Sequence, residues 1–309
     1  MRLLSALAAL LVSPIRFVVA ALLLCVCSTT VFAADASNAT FTFTAIPDQD
    51  ESRLQERFGK VANYLQQQLG IKVNYIPVKS YPAAITAFRN NQVQLAWFGG
   101  LSGVQARALV PNSEAIAQGY EDQLFKTYFI AHKSAQVYVD EESLSNTFPM
   151  DMAGKSFTFG SKGSTSGRLM PEFYIREYFN KAPEDVFARV GFSGDHSRTL
   201  RLVESGAYQV GALNYSVWDQ AVKEGSVDLD SVSIVWTTPT YPDYQWTVRG
   251  DVDDVYGAGF KEKLTQALLN MKDAALLEAF PRSSFIPASN DLYQPIEDTA
   301  KALDLMSDF

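Results

Sequence analysis

The chain has 309 residues, 47% of them hydrophobic and 19% charged, with a formal net charge of −8, two Cys and two His. That length supports one large or two medium domains, and the composition excludes a disordered chain. The acidic balance excludes the electrostatic footprint of a general nucleic-acid binder, and so few His and Cys leave no basis for a metal site or other cofactor.

Residues 1–33 read as an export signal. Arg2 supplies the positive start, an apolar run broken by Pro14 and Arg16 resumes from Phe17, and Val31 and Ala33 occupy the −3 and −1 positions of a small-residue cleavage site. The stretch from Val18 to Cys27 is too short to span a membrane. Cys25 and Cys27 both lie inside this segment, so the mature chain carries no cysteine and relies on its core alone. Removing Arg2 and Arg16 leaves 24 basic against 34 acidic residues, a net charge of −10. No later apolar run approaches the roughly 20 residues of a membrane helix, so the expected product is secreted, soluble and acidic; it is also expected to act as a monomer.

Residues 40–46 (TFTFTAI) alternate in period two, which predicts a half-buried strand. Leu54, Phe58, Val61 and Leu65 recur at helical spacing, and Gly70 closes that helix. A strand over 71–78 follows, then a helix opened by Ser80 and Pro82, then a buried strand over 93–98. The same grammar restarts with strands at 155–160 and 186–192, helices at 166–179 and 199–206, and a strand at 210–213. This alternation predicts an α/β fold with mostly parallel pairing. An echo between NNQVQLAWF around Gln94 and GAYQVGALN around Gln209, offset by 115 residues, points to two related lobes. Strands at 127–132 and 232–237 are the places where the chain crosses between them. The expected division is 34–132 plus 241–309 for the first lobe and 133–240 for the second, with a ligand cleft between.

The most informative stretch is SFTFGSKGSTSGRLMP, residues 156–171. A strand ends at Gly160, a Gly- and Ser-rich turn follows, and a helix begins near Thr165. The first turn of a helix offers N–H groups without internal partners, and Ser164, Thr165 and Ser166 add three hydroxyls at the same spot. Plain N-capping needs one hydroxyl, so the cluster points to an oxyanion site. It is not a Walker loop, because no Gly-Lys-Ser/Thr stands at the required spacing: Lys162 lies between Ser161 and Gly163.

The GSTSG run, the later SGDHSRTLRLVESGAYQVGALNYSVWD and the earlier SYPAAITAFRNNQVQLAWFGGLSG together resemble the phosphate/phosphite/phosphonate substrate-binding proteins of ABC importers. IPDQDESRL and QLAWFGGLSGVQAR are most similar to members named for selenate. The resemblance covers essentially the whole mature chain. It implies a type II periplasmic binding protein fold, two lobes joined by two crossover strands, that hands a small tetrahedral oxyanion to a permease and ATPase in the inner membrane. It also implies that Ser164, Thr165 and Ser166 bind the anion, that His196 and Tyr81 donate to it, and that Trp97 contributes an aromatic wall. Asn214 and Tyr215 stand where aminophosphonate binders carry a carboxylate, which argues for a bare inorganic anion. Ser164, Thr165, Ser166, His196, Tyr81, Asn214 and Tyr215 can all donate hydrogen bonds to an anion, and Asp195 is the one carboxylate expected nearby, orienting His196. A donor-only site suits a fully deprotonated anion such as selenate at least as well as phosphate. His132 and Phe98 read as structural.

Two other functions compete. An exported hydrolase of phospho- or sulfo-esters needs a nucleophile–base pair or a metal set, and the two His are far apart in sequence. A sensory ligand-binding protein needs a membrane span beyond the domain. The expectation is therefore a binding protein with no catalytic residues and no bound metal.

Overall fold

The computed structural model describes residues 39–137, 144, 146–278 and 280–307. The export signal expected over 1–33, with Cys25 and Cys27, and part of the polar stretch 133–145 lie outside the described residues. Among the described residues no helix is long and apolar enough to cross a membrane.

The first lobe starts with β1 (Phe41–Ala45), where alternation buries Phe41 and Phe43. Helix α1 (Glu51–Leu69) buries Leu54, Phe58, Val61 and Leu65 at helical spacing and stops at Gly70, whose φ of 73° is the left-handed conformation that glycine tolerates best. β2 (Val73–Tyr75) is shorter than the expected 71–78. α2 (Tyr81–Arg89) begins where Ser80 accepts the Ala83 N–H and Pro82 stands in the first turn. β3 (Leu95–Phe98), α3 (Gly100–Leu109) and β4 (Glu114–Gly119) complete this run.

The second lobe holds β5 (Thr127–His132), β6 (Ser156–Phe159), α4 (Met170–Phe179), the single turn α5 (Pro183–Val186), β7 (Arg189–Phe192), α6 (His196–Glu204), β8 (Val210–Asn214), α7 (Tyr215–Lys223) and β9 (Val232–Thr237). The chain then returns to the first lobe through β10 (Gln245–Val248), α8 (Val252–Tyr256), α9 (Phe260–Leu269), α10 (Ala274–Leu277), β11 (Phe285–Pro287) and α11 (Gln294–Ala302). The first sheet runs β11-β4-β10-β3-β1-β2 and the second β7-β6-β8-β5-β9. This is the two-lobe, type II binding protein fold.

The pairing is mixed, not mostly parallel. β1 pairs in parallel with β2 and β3, and β6 with β7 and β8. β10 and β5, the strands beside the crossings, run antiparallel to both of their neighbours. The strand partners of β5 are β8 and β9, so a boundary at 132 separates this strand from its own sheet. We place the crossings at 125–126 and 238–242, where Phe125 and Tyr241 form an isolated antiparallel bridge.

The echo around the two glutamines has a structural counterpart. Gln94 Oε1 accepts the Thr42 N–H of β1 at 3.0 Å, and Gln209 Oε1 accepts the Ser156 N–H of β6 at 3.2 Å. Each glutamine thereby ties the strand it precedes, β3 or β8, to the first parallel strand of its own lobe.

Alternation also divides the second lobe's core. Phe129 and Ala131 of β5 face a cluster with Phe148, Phe157 and Trp236, while Tyr128 and Ile130 face Leu213, Val217 and Trp218. The first core is larger and aromatic, with Trp246 centred among Phe43, Phe58, Trp97 and Phe280. Each such ring contributes roughly 1.5–3 kcal/mol by burial, and this burial holds the described residues, which include no cysteine.

Candidate ligand-binding site

Several helix N-termini meet between the lobes: α2 at Tyr81, α3 at Gly100, α6 at His196 and the helical turn leading into α4 at Thr165. Three of them follow the C-terminal ends of strands β3, β6 and β7, the usual place for a ligand in an α/β sheet. Their aligned peptide dipoles and free N–H groups favour an anion.

Ser164 caps the turn Thr165–Leu169, accepting the Gly167 N–H at 2.9 Å, and it hydrogen-bonds with Tyr81 from the first lobe. Thr165 Oγ1 accepts the Leu101 N–H of α3 at 3.0 Å and also bonds with Asp243. Ser166 Oγ lies 3.4 Å from His196 Nε2. Glycine is required at the turn: a Cβ on Gly167 would stand 3.0 Å from both His196 Cε1 and Ser164 Oγ, and one on Gly163 would meet the Tyr81 Cβ at 3.1 Å. Ser164, Thr165, Ser166, His196 and Tyr81 thus come together, all of them buried.

His196 is neutral. Burial pushes its pKa down to about 3, and its Nδ1 accepts the Asn214 N–H at 3.3 Å. An acceptor at Nδ1 leaves the ring proton on Nε2, aimed toward Ser166. Asp195 does not orient this ring: its Oδ1 accepts the Arg198 N–H at 2.7 Å as an ordinary N-cap.

The remaining expected residues divide. Asn214 sits behind His196, giving its side-chain N–H to Tyr244 Oη at 3.2 Å and capping α7 through Ser216. Trp97 is part of the first core, stacked on Tyr244 with ring centroids 5.5 Å apart, and its edge joins Asp48, Asn214, Tyr244 and Arg282 around a small cavity. Tyr215 is not with the cluster; it packs on Phe125 and Tyr128 beneath Lys126. Phe98 is buried against Phe88, and His132 bonds Ser134 at 2.8 Å, both structural.

The site is also not made of donors alone. Asp243 Oδ1 accepts the Gly100 N–H at 2.8 Å, while its buried Oδ2 has no hydrogen-bond partner. Burial raises its pKa to about 7. Asp48 accepts from Tyr244 Oη at 2.8 Å, and burial raises its pKa to about 6. Arg282 adds the neighbouring cation. Burial opposes its charge, but the bidentate pair with Asp122, at 2.7 and 2.8 Å, more than offsets this and keeps the guanidinium ionised. These residues escaped the sequence reading because they lie far from the Ser/Thr turn. The signal was a repeated Pro-Asp, Pro47–Asp48 after β1 and Pro242–Asp243 before β10.

Among the described residues no group of three or more His, Cys, Asp or Glu could hold a metal ion. The model of the family described as ABC transporter, phosphonate, periplasmic substrate-binding protein matches residues 43–293. The chain belongs to this family. Among its relatives, the probable ABC transporter phosphite binding protein PhnD1 of Prochlorococcus marinus is 39% identical over 265 residues, 84% of this chain and 88% of that protein. The phosphonates-binding periplasmic protein of Escherichia coli is 24% identical over 275 residues, 86% of this chain and 78% of its own. The structure of PhnD1 in complex with methylphosphonate superposes with a TM-score of 0.79 at 37% identity, covering 88% of this chain and all of that one. A phosphonate-transporter binding component from Pseudomonas aeruginosa shares the fold, with a TM-score of 0.72 at 20% identity over 85% of each chain.

Proposed function

We propose that this phosphonate-family binding protein captures a small, partly protonated phosphorus oxyanion (phosphite, methylphosphonate or phosphate) in the periplasm and delivers it to an ABC permease. The observation that carries the reading is Asp243. Donors from Ser164, Thr165, Ser166, Tyr81 and His196 suit any oxyanion, but a carboxylate beside Thr165 attracts only an anion that brings a proton. Phosphite, phosphonates and phosphate are partly protonated near neutral pH; selenate and sulfate are not, and above about pH 7, where Asp243 is ionised, they meet it as a repulsive charge. The methylphosphonate complex of PhnD1 supports the same class.

A hydrolase reading draws on the approach of Ser166 to His196, which resembles a nucleophile and its base. The proton already sits on Nε2 and the ring pKa is about 3, so His196 donates there and does not abstract.

The test is calorimetry of the mature protein with phosphite, methylphosphonate, phosphate, sulfate and selenate. Phosphite or methylphosphonate binds at least about tenfold tighter than selenate, affinity falls as pH rises above about 8, and Asp243→Asn costs about 10- to 100-fold for phosphite while narrowing the margin over selenate. Selenate binding as tightly as phosphite, unaffected by Asp243→Asn, overturns it. No turnover of a chromogenic phosphoester is expected.

A further inference from the structure

Two ion pairs span the lobes at the mouth of the cleft, and their charges alternate. Asp50 and Arg53 stand at the start of α1 in the first lobe; Arg201 lies on α6 and Glu224 follows α7 in the second. Arg201 Nη2 donates to Asp50 Oδ1 at 3.3 Å. Arg53 is bidentate on Glu224, Nη1 to Oε1 and Nη2 to Oε2, both at 3.2 Å. Gln220 steadies Glu224 by donating to Oε1 at 2.7 Å. Immediately inward, the His196 N–H donates to the Asp48 carbonyl at 3.0 Å, while the Asp48 carboxylate holds Tyr244. Residues 48–53 are thus joined to the second lobe at three successive points.

We infer that Asp50, Arg53, Arg201 and Glu224 are positioning residues for ligand retention, a reciprocal electrostatic latch that seats the Asp48 segment against His196 and sets the rate of release. The inference rests on the reading above, that the lobes close over an anion. An acid followed by a base on the first lobe faces a base and an acid on the second. Sliding the lobes would bring Asp50 toward Glu224 or Arg53 toward Arg201, so like charges reject other registers. All four side chains are partly exposed, which limits each pair to about a two- to fivefold effect. Partners on separate lobes meet only on closure, so the effect falls on dissociation and not on encounter. Exposure also makes it sensitive to salt.

The test is stopped-flow release of phosphite from the wild type, Arg53→Ala, Arg201→Ala and the double swap Arg53→Glu with Glu224→Arg, at about 0.05 M and about 0.5 M salt. Each single variant releases about two- to fivefold faster at low salt, with association changed less than about twofold. The difference shrinks at high salt, the swap restores most of the retention, and ligand-free melting is unchanged. Equal release rates throughout, or a swap as fast as Arg53→Ala, overturn the latch. Lower ligand-free melting in the single variants assigns these residues to fold stability and also overturns it. If the wild type binds sulfate or selenate but not phosphite, the ligand reading fails, and the latch is judged on that anion by the same criteria.

Discussion

Thr165 shows how one hydroxyl couples the two lobes. Its Oγ1 accepts the Leu101 N–H and bonds with Asp243, so it ties the Ser/Thr turn to the N-terminus of α3 and to the second crossing. Thr165→Ala removes the acceptor and the donor together. Affinity for phosphite falls by about 1–3 kcal/mol by calorimetry, and Thr165→Ser retains most of it. The three hydroxyls of the candidate site stand out in the sequence because they fall in one compact, chemically distinctive run, whereas His196 enters only through the family resemblance. Asp48, Asp243 and Arg282 do not stand out, because a carboxylate or a guanidinium in a loop ordinarily faces water. Only the fold removes that water, turning Asp243 from a surface charge into a proton acceptor.

The elements carrying the site are short and closely packed, and glycine decides how closely. Gly167 approaches Gly160 so nearly that an added Cβ would stand 3.1 Å from the Gly160 Cα, which backbone cannot easily yield. Gly167→Ala therefore destabilises by about 1–3 kcal/mol in urea titration and weakens phosphite binding by more than about tenfold. Gly59, inside α1, has nothing within 4 Å of the point where a Cβ would stand, and it gives the opposite outcome: Gly59→Ala adds about 0.5–1 kcal/mol and leaves binding unchanged. Periodicity exposed most helices and strands. It could not show pairing direction, because β10 and β5 look like any other buried strand until their neighbours are known. The same limit explains Tyr215: Asn214 ends β8 and Tyr215 begins α7, so the two point to different surroundings although adjacent in sequence.

For the whole molecule, the site costs stability, and the cost depends on pH. Folded Asp243 keeps its proton to about pH 7, whereas a free carboxyl loses it near 3.8. Across that window the unfolded chain binds fewer protons, so this group's contribution falls as pH rises. Asp48 acts in the same direction up to about pH 6. His196 opposes them: it stays neutral when folded down to about pH 3, while the unfolded chain takes a proton near 6.5, so its contribution rises with pH between those values. Asp243→Asn isolates the first effect. Ligand-free, this variant gains on the wild type as pH is raised from about 4.5 to about 7, by up to about 1.4 kcal/mol per unit, in urea midpoints measured at each pH.

The position of β10 bears on the order in which the molecule assembles. Residues 245–248 are wedged between β3 and β4, although the chain makes them only after the entire second lobe. The second sheet draws all its strands from the contiguous stretch 127–237 and can close by itself. The first sheet must wait with β3 and β4 each presenting an open edge until the returning chain arrives, at a high loop-closure cost. The slow folding step belongs to the first lobe, and a chain arrested before Gln245 would leave those two edges free to pair with another molecule.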